Sequence, residues 1–320
     1  MLKQVMEVLD ALDSPSASGE TVRELFHQAG WDDLEVETIR GDRGQTDFIT
    51  ITVPGNHGKS SGGQAQTLSI VGCLGSVGAR PAVTGMVSDA DGALVALAAG
   101  LRLAIMHGRG DRLEGDVVVT THVSPNAPVP PDAGAGRRRM MPSPVDGAEL
   151  RKREVPAGAD AVLSVDATKA NRVINHRGFA ISPTVKEGYI LHAAEDLLDL
   201  MENVTGRSPV VFPLAQQDIV PGRELRHING IMSPAAVTNA PVVGVAITAA
   251  VAVPGIATGA NQAADLKAAA RFCVEVAKAF GEGACRLYDP DQFETLIRLY
   301  GSMRHFQTAG PRVNRCAQPS

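Results

Sequence analysis

The chain has 320 residues, 44% of them hydrophobic and 20% charged, with a net charge of −5. That balance excludes disorder along the whole length, and it argues against a general nucleic-acid binder, whose phosphate contacts need clustered cations. The apolar residues are mainly small aliphatics and Trp31 is the single tryptophan, a composition that suits strands buried on both faces with helices packed closely over them. Cysteines at 73, 273, 285 and 316 have no CxxC spacing and no secretory signal precedes them, so reduced thiols and a cytoplasmic location are expected. No membrane span is expected, because the longest apolar run, 240–257, is broken by Pro241, Gly244 and Pro254.

In chain order, apolar periodicity predicts two short helices at 2–12 and 19–29, divided by Ser14-Pro15. Alternating stretches at 34–39 and 46–53, with glycines at 41 and 44 between them, read as a hairpin. From there short apolar runs alternate with helical segments: strands at 67–71 and 82–87, a helix at 92–107, and a strand at 116–121. A strand at 161–165, an amphipathic helix at 189–204, and strands at 210–213 and 242–248 follow. Helices at 262–280 and 290–300 complete the pattern, and the tail from 309 is expected to be disordered. This order is that of an α/β fold with a mainly parallel central sheet and helices on both faces. We expect one domain over 1–308, with 124–156 as a long loop or a partner-contacting arm, and a symmetric homo-oligomer. Within that arm Arg137, Arg138 and Arg139 form the one basic run, read as a solvated or interface loop.

Two phosphate-loop lookalikes carry nothing. Gly58-Lys59-Ser60 lacks the earlier glycine of a Walker loop, Val53 standing there, and Gly72, Gly75 and Gly78 do not have the dinucleotide-binding spacing. The informative pattern is the placement of polar residues after apolar runs. Asp89 and Asp91 follow 82–87, His122 follows 116–121, Asp166 follows 161–165 and Asp218 comes shortly after 210–213. In an open parallel sheet these ends share one edge, where ligands bind, and carboxylates with an imidazole there can hold a divalent metal or act as acid and base. Asp after a strand also makes Asx-turns or caps the next helix, a reading that fits Asp91 before the 92–107 helix as well as catalysis does. Lys169, Asn171 and Arg172 follow Asp166 and can bind an anionic substrate group. Lys186, Glu187 and His192 bracket the start of the 189–204 helix, and His227 lies in a turn-like segment.

Six phrases, MLKQV at 1–5, LDSP at 12–15, TDFI at 46–49, VSDADGA at 87–93, ISPTVKEGYI at 181–190 and VPGIATG at 253–259, resemble a bacterial family of unknown function over nearly the whole chain. A distant resemblance has chemical content. SGE at 18–20, the hairpin within 34–53, Asp89 ahead of an Ala/Leu helix, the strand near 117–121 and VDAT at 165–168 occur in the order seen in co-catalytic zinc aminopeptidases of the glutamyl and tetrahedral type. That resemblance implies a three-layer, phosphorylase/hydrolase-like sandwich with Asp89 and Asp166 as metal ligands. The chain departs from it in four places, one being that the second domain inserted in those peptidases has no room between Leu68 and Asp89. No His-x-Asp stands at 72–78, HVS at 122–124 replaces paired glutamates, and no histidine follows Val253-Pro254, where Asn261 is the nearest polar side chain. A standard two-zinc centre is therefore not expected.

These readings give a metal-dependent hydrolase of a small amide, peptide or amino-acid-like substrate. Asp89, His122 and Asp166 hold a zinc, manganese or cobalt ion, and Asp91 or Glu187 is the general base. Lys169, Asn171, Arg172, Lys186 and His227 contact the small-molecule substrate. Two alternatives use the same edge of the sheet: a non-catalytic ligand-binding or assembly protein, and a metal-free enzyme with Lys169 and His122 as acid and base.

Overall fold

The computed structural model describes residues 1–14, 16–42, 44–73, 88–124, 145, 147–169, 174–221, 230–250 and 261–308. The expected strand 82–87, Arg137, Arg138, Arg139, Asn171, Arg172, His227, the 253–259 phrase and the tail from 309 lie outside the described residues.

Helices α1 (Leu2–Leu12) and α2 (Gly19–Gln28) open the chain. Val5, Val8 and Leu12 recur at helical spacing and are buried on one face of α1. Ser18 starts α2 with a reciprocal cap: its side chain accepts from the Thr21 amide while the Thr21 hydroxyl accepts from the Ser18 amide. Strands β1 (Leu34–Gly41) and β2 (Gly44–Val53) form the expected antiparallel hairpin. Then come β3 (Leu68–Gly72), α3 (Asp91–Gly108), β4 (Val117–Val123), α4 (Gly147–Glu154) and β5 (Ala161–Ala167). The last part holds β6 (Gly178–Ile181), β7 (Thr184–Lys186), β8 (Tyr189–Leu191), α5 (Glu195–Thr205), β9 (Val242–Thr248), α6 (Ala263–Gly281) and α7 (Pro290–Tyr300).

All the described strands join one nine-stranded sheet in the order β1-β2-β4-β3-β5-β9-β7-β8, with β6 also on β9. Its centre, β4-β3-β5-β9, is parallel throughout, and antiparallel hairpins close both edges. β3 and β9 are buried along their whole length, as central parallel strands must be. One face of the sheet is covered by α1, α3, α5 and α6 around Leu94, Leu97, Phe272 and Phe179. On the other face α4 and the 3-10 turn Gly230–Ala236 cover Val71, Val162 and Ala246.

Four expectations need correction. The helix expected at 189–204 begins only at Glu195, because Glu187 (φ 50) and Gly188 (φ 83) make a tight turn that folds Tyr189–Leu191 back onto β7 as a strand. In 210–213 the described backbone makes an isolated bridge, Val211 to Ile181, and no strand. The 124–156 segment ends in α4. Finally, Ser88–Gly108 is 21 residues long and apolar enough to cross a membrane, but it is 83% buried inside the fold. A helix apolar on all sides is here the central helix of the core, packed on α1, α6 and the strands beneath.

Candidate functional site

The carboxyl ends of β3 and β5 meet the first turn of α3, and two glycines allow the approach. A Cβ on Gly92 would stand 2.5 Å from the Val165 carbonyl oxygen and 2.6 Å from that of Cys73, and one on Gly72 would stand 2.8 Å from the Gly92 oxygen. Without side chains at these positions the start of α3 rests directly on the strand ends. Asp89 lies in the 3-10 turn Ser88–Ala90, Asp91 is the first residue of α3, and Asp166 is the penultimate residue of β5.

Asp91 is fully enclosed and held from both sides. Lys169, just past the end of β5, places its Nζ 2.5 Å from Asp91 Oδ2, with 3% of the lysine side chain exposed. Asn261, ahead of α6, donates its Nδ2 to Asp91 Oδ1 at 2.5 Å. Burial still lifts the Asp91 carboxyl to about 6, against the pull of Lys169 and Asn261.

Among the described residues Asp89 and Asp166 have no such pairing. Asp166 is buried, its Oδ1 accepts only the Ala167 amide at 2.7 Å among the described residues, and burial and the neighbouring charge of Asp89 push it well above the carboxylate range. Asp89 is also buried and is raised to about 6 by burial and then by Asp91. Its Oδ2 has no hydrogen-bond partner among the described residues. A buried carboxylate oxygen without a donor is costly, and a second buried carboxyl in reach of its charge calls for a proton or a cation between them.

The register extends the site onto the α4 face of the sheet. Val71 lies opposite Thr120 on β4 and Gly72 opposite Val165 on β5, so Cys73, next along, lies between His122 and Asp166. Those two are therefore two strand spacings apart, roughly 10 Å. Burial alone brings the His122 imidazole down to about 4, so it is neutral at physiological pH. Its Nδ1 is 2.9 Å from the Thr46 hydroxyl, which donates to the Val123 carbonyl at 3.0 Å. Cys73 is buried with its Sγ 3.2 Å from Ser164 Oγ, and burial, then Glu154 and Asp166, raise its thiol so far that it is no nucleophile at neutral pH.

Sequence reasoning passed over two of these residues. Glu154, the last residue of α4, is lifted to about 7 by burial, stands 3.4 Å from Ser233 Oγ, and lies near enough for its charge to raise Asp166 and Cys73. Nothing marks it in the sequence, since α4 reads as a charged, solvated stretch. Cys73 had a signal: continuing the strand alternation from Val71 puts it on the face of the site.

The remaining candidates lie elsewhere. Glu187 sits in the β7–β8 turn, where burial would raise its carboxyl but Arg304, at 2.7 Å, and Lys186 hold it below the ordinary range. Lys186 donates to the Asn239 carbonyl at 2.9 Å and lies over the rings of Tyr288 and Phe293. Asp218 is buried and accepts the Ala215 amide at 2.8 Å, as a turn carboxylate does.

Among the described residues no three His, Cys, Asp or Glu side chains are grouped closely enough to share an ion. Thus His122 does not join Asp89 and Asp166 as a ready-made ligand triad. The unpartnered Asp89 oxygen and the raised Asp166 carboxyl do fit a cation held by two carboxylates, a donor set of hard oxygens.

The fold has known relatives. The chain is similar to the structure described as "Bottromycin maturation enzyme BotP", at 19% identity with a TM-score of 0.51 over 88% of this chain and 70% of that one. "Bottromycin maturation enzyme BotP in complex with Mn" matches at 17% identity and a TM-score of 0.49, covering 87% of this chain and 70% of that one. "The crystal structure of Legionella pneumophila LapA aminopeptidase" matches at 11% and 0.48, covering 89% and 71%. At 19% identity the first of these likenesses is one of fold. No curated protein matches the sequence. A family model matches residues 37–310, and the chain belongs to the family described as "Protein of unknown function (DUF1177)".

Proposed function

We propose that this chain is a peptidase-like hydrolase that cleaves an amide bond in a small peptide or amino-acid-like substrate, with Asp89 and Asp166 holding one divalent cation. The observation that carries the reading is the buried Asp89 oxygen without a partner among the described residues, beside a raised Asp166, at the strand ends where open parallel sheets bind ligands. An all-oxygen donor pair favours manganese over zinc among the ions expected, since zinc is better served by imidazole and thiolate. When bound, the cation supplies Lewis-acid stabilisation of charge on the substrate carbonyl.

The chain's own residues divide the remaining work. Asp91, itself held by Asn261, fixes the Lys169 ammonium at the strand ends, where it can orient an anionic substrate group. Asp91 and Glu187 are both engaged with cations, whereas Glu154 titrates at about 7 and is poised to take and return a proton near neutral pH. In this reading Glu154 is the general base and His122 a buried neutral side chain beside the site.

Calorimetric titration of chelator-treated protein with manganese chloride tests the reading. About one ion per chain should bind, and Asp89→Asn and Asp166→Asn should each abolish binding without loss of the fold. Wild-type protein that binds none of manganese, zinc, cobalt or magnesium would exclude the metal-dependent enzyme. A panel of aminoacyl p-nitroanilides then reads activity, which Glu154→Gln should lower by about 100-fold or more.

A further inference from the structure

A second feature lies at the β8 edge of the sheet. β7 carries Val185 opposite Val242, the first residue of β9, so β7 and β8 sit toward the amino ends of the parallel strands. Thr248, at the other end of β9, is six residues away, about 20 Å at strand rise. Here β8, α5 and α7 enclose a groove of about 980 Å³ with Ile190, Leu191, Leu198, Val211 and Leu296 among its walls.

The backbone of this edge is open in a definite direction. In the β7–β8 hairpin Lys186 pairs with Tyr189 across a two-residue turn, Val185 with Ile190, and Thr184 with Leu191. Hydrogen-bonded and non-hydrogen-bonded pairs alternate in an antiparallel ladder, and the pair next to a two-residue turn is hydrogen-bonded. The Val185–Ile190 pair therefore points its backbone groups outward on both sides. On the Val185 side they meet β9. Ile190, on the other side, belongs to the last described strand of the sheet, so its N–H and C=O face away from every described strand.

Charge completes the description. The polar wall residues include Glu195 and Asp291, both exposed, and the described lining contains no lysine or arginine, its one imidazole being that of the exposed His192. An apolar trough with acidic residues and an open strand edge matches an extended segment that carries apolar side chains and positive charge. We propose that this groove binds a basic, apolar peptide segment of another protein by strand addition to β8, as a site separate from the strand-end carboxylates. Main-chain bonds to Ile190 would supply register, the groove would take alternate apolar side chains, and Glu195 and Asp291 would select cationic ones.

The probe is a fluorescein-labelled nonapeptide of alternating valine and lysine, followed by fluorescence polarisation against the full chain. Binding is expected with a Kd below about 100 µM. It should weaken by about tenfold or more for a peptide with glutamate in place of lysine, and equally for one N-methylated through its central residues, which leaves the protein untouched. Leu296→Lys should also abolish it, with circular dichroism reporting that the variant folds. The proposal is overturned if the parent probe does not bind, if the acidic or N-methylated probe binds as tightly, or if Leu296→Lys binds unchanged. Light scattering that shows wild-type chains associating, and Leu296→Lys chains not, would replace the peptide with a second copy and equally overturn it.

Discussion

Asp89 couples the chemistry of the site to the stability of the chain. Its carboxyl titrates at about 6 in the folded protein against an ordinary 3.8, burial being the main cause. As pH rises through that interval the unfolded chain releases the proton first, the native chain holds more protons, and stability falls. In chelator, Asp89→Asn should therefore be more stable than wild type at pH 8 by up to about 3 kcal/mol, with the gain vanishing near pH 4. His122 acts with the opposite sign, because a ring lowered from 6.5 to about 4 costs stability as pH drops through the same interval. The wild-type profile alone is thus nearly uninformative, and denaturant melts of both proteins at several pH values are required. A variant no more stable than wild type at pH 8 would place Asp89 in contact with a positive charge. Added manganese should reverse the order, raising the Tm of wild type and leaving Asp89→Asn unmoved. His122 also allows a structural prediction. The Thr46 hydroxyl has one hydrogen and gives it to the Val123 carbonyl, so His122 Nδ1 must be the donor to Thr46. Nitrogen NMR should find the Nδ1–H tautomer, unprotonated at Nε2, with no titration above about pH 5; the Nε2–H tautomer would refute the assignment. Asp89, Asp91, Asp166 and Lys169 stand out in the sequence as polar residues that follow apolar runs, although the strand expected before Asp89 lies outside the described residues and Asp89 and Asp91 sit in a 3-10 turn and the first turn of α3. Glu154 does not, since its burial arises from α4 folding onto the sheet, a contact that local composition does not encode.

At the scale of elements, the first turn of α3 sets the site. Gly92→Ala would force its Cβ against two backbone carbonyls and should cost about 1–3 kcal/mol, together with the manganese affinity that the α3 position supports. Gly108→Ala, at the far end of the same helix with nothing within 4 Å of its Cβ, is the matched control and should change stability by no more than about 1 kcal/mol in either direction. Equal melting midpoints for the two variants would mean that α3 can shift off β3 and β5 without loss. Most elements could be read locally, as α1, the β1–β2 hairpin, β5, β9, α6 and α7 illustrate. β8 could not. Tyr189, Ile190 and Leu191 continue without a break into the apolar pattern of α5, and only the positive φ of Glu187 followed by Gly188 turns them into a strand. β6 and β7 are too short, at four and three residues, for alternation to distinguish them from loop.

Across the whole molecule, protection should follow the layers. β3, β5, β9 and α3 lie at the centre of the sheet and its main core, whereas α7 has no buried residue and leaves Leu299 and Tyr300 61% and 66% exposed. Local opening is easiest where few apolar contacts are lost, so hydrogen exchange should be fastest among the helices in α7 and slowest in α3. In dilute protein, peptides from 290–300 should exchange about 100-fold faster than those from 91–108, without any change in the global unfolding midpoint. The exposed side chains make the alternative equally definite. If the chain forms the symmetric oligomer expected from its sequence and α7 lies in that interface, its protection should rise with protein concentration toward that of α3. Exchange in α7 that is as slow as in α3 at every concentration would contradict both outcomes, and would mean that this helix is anchored by contacts that its packing against Tyr189 and Tyr288 does not supply.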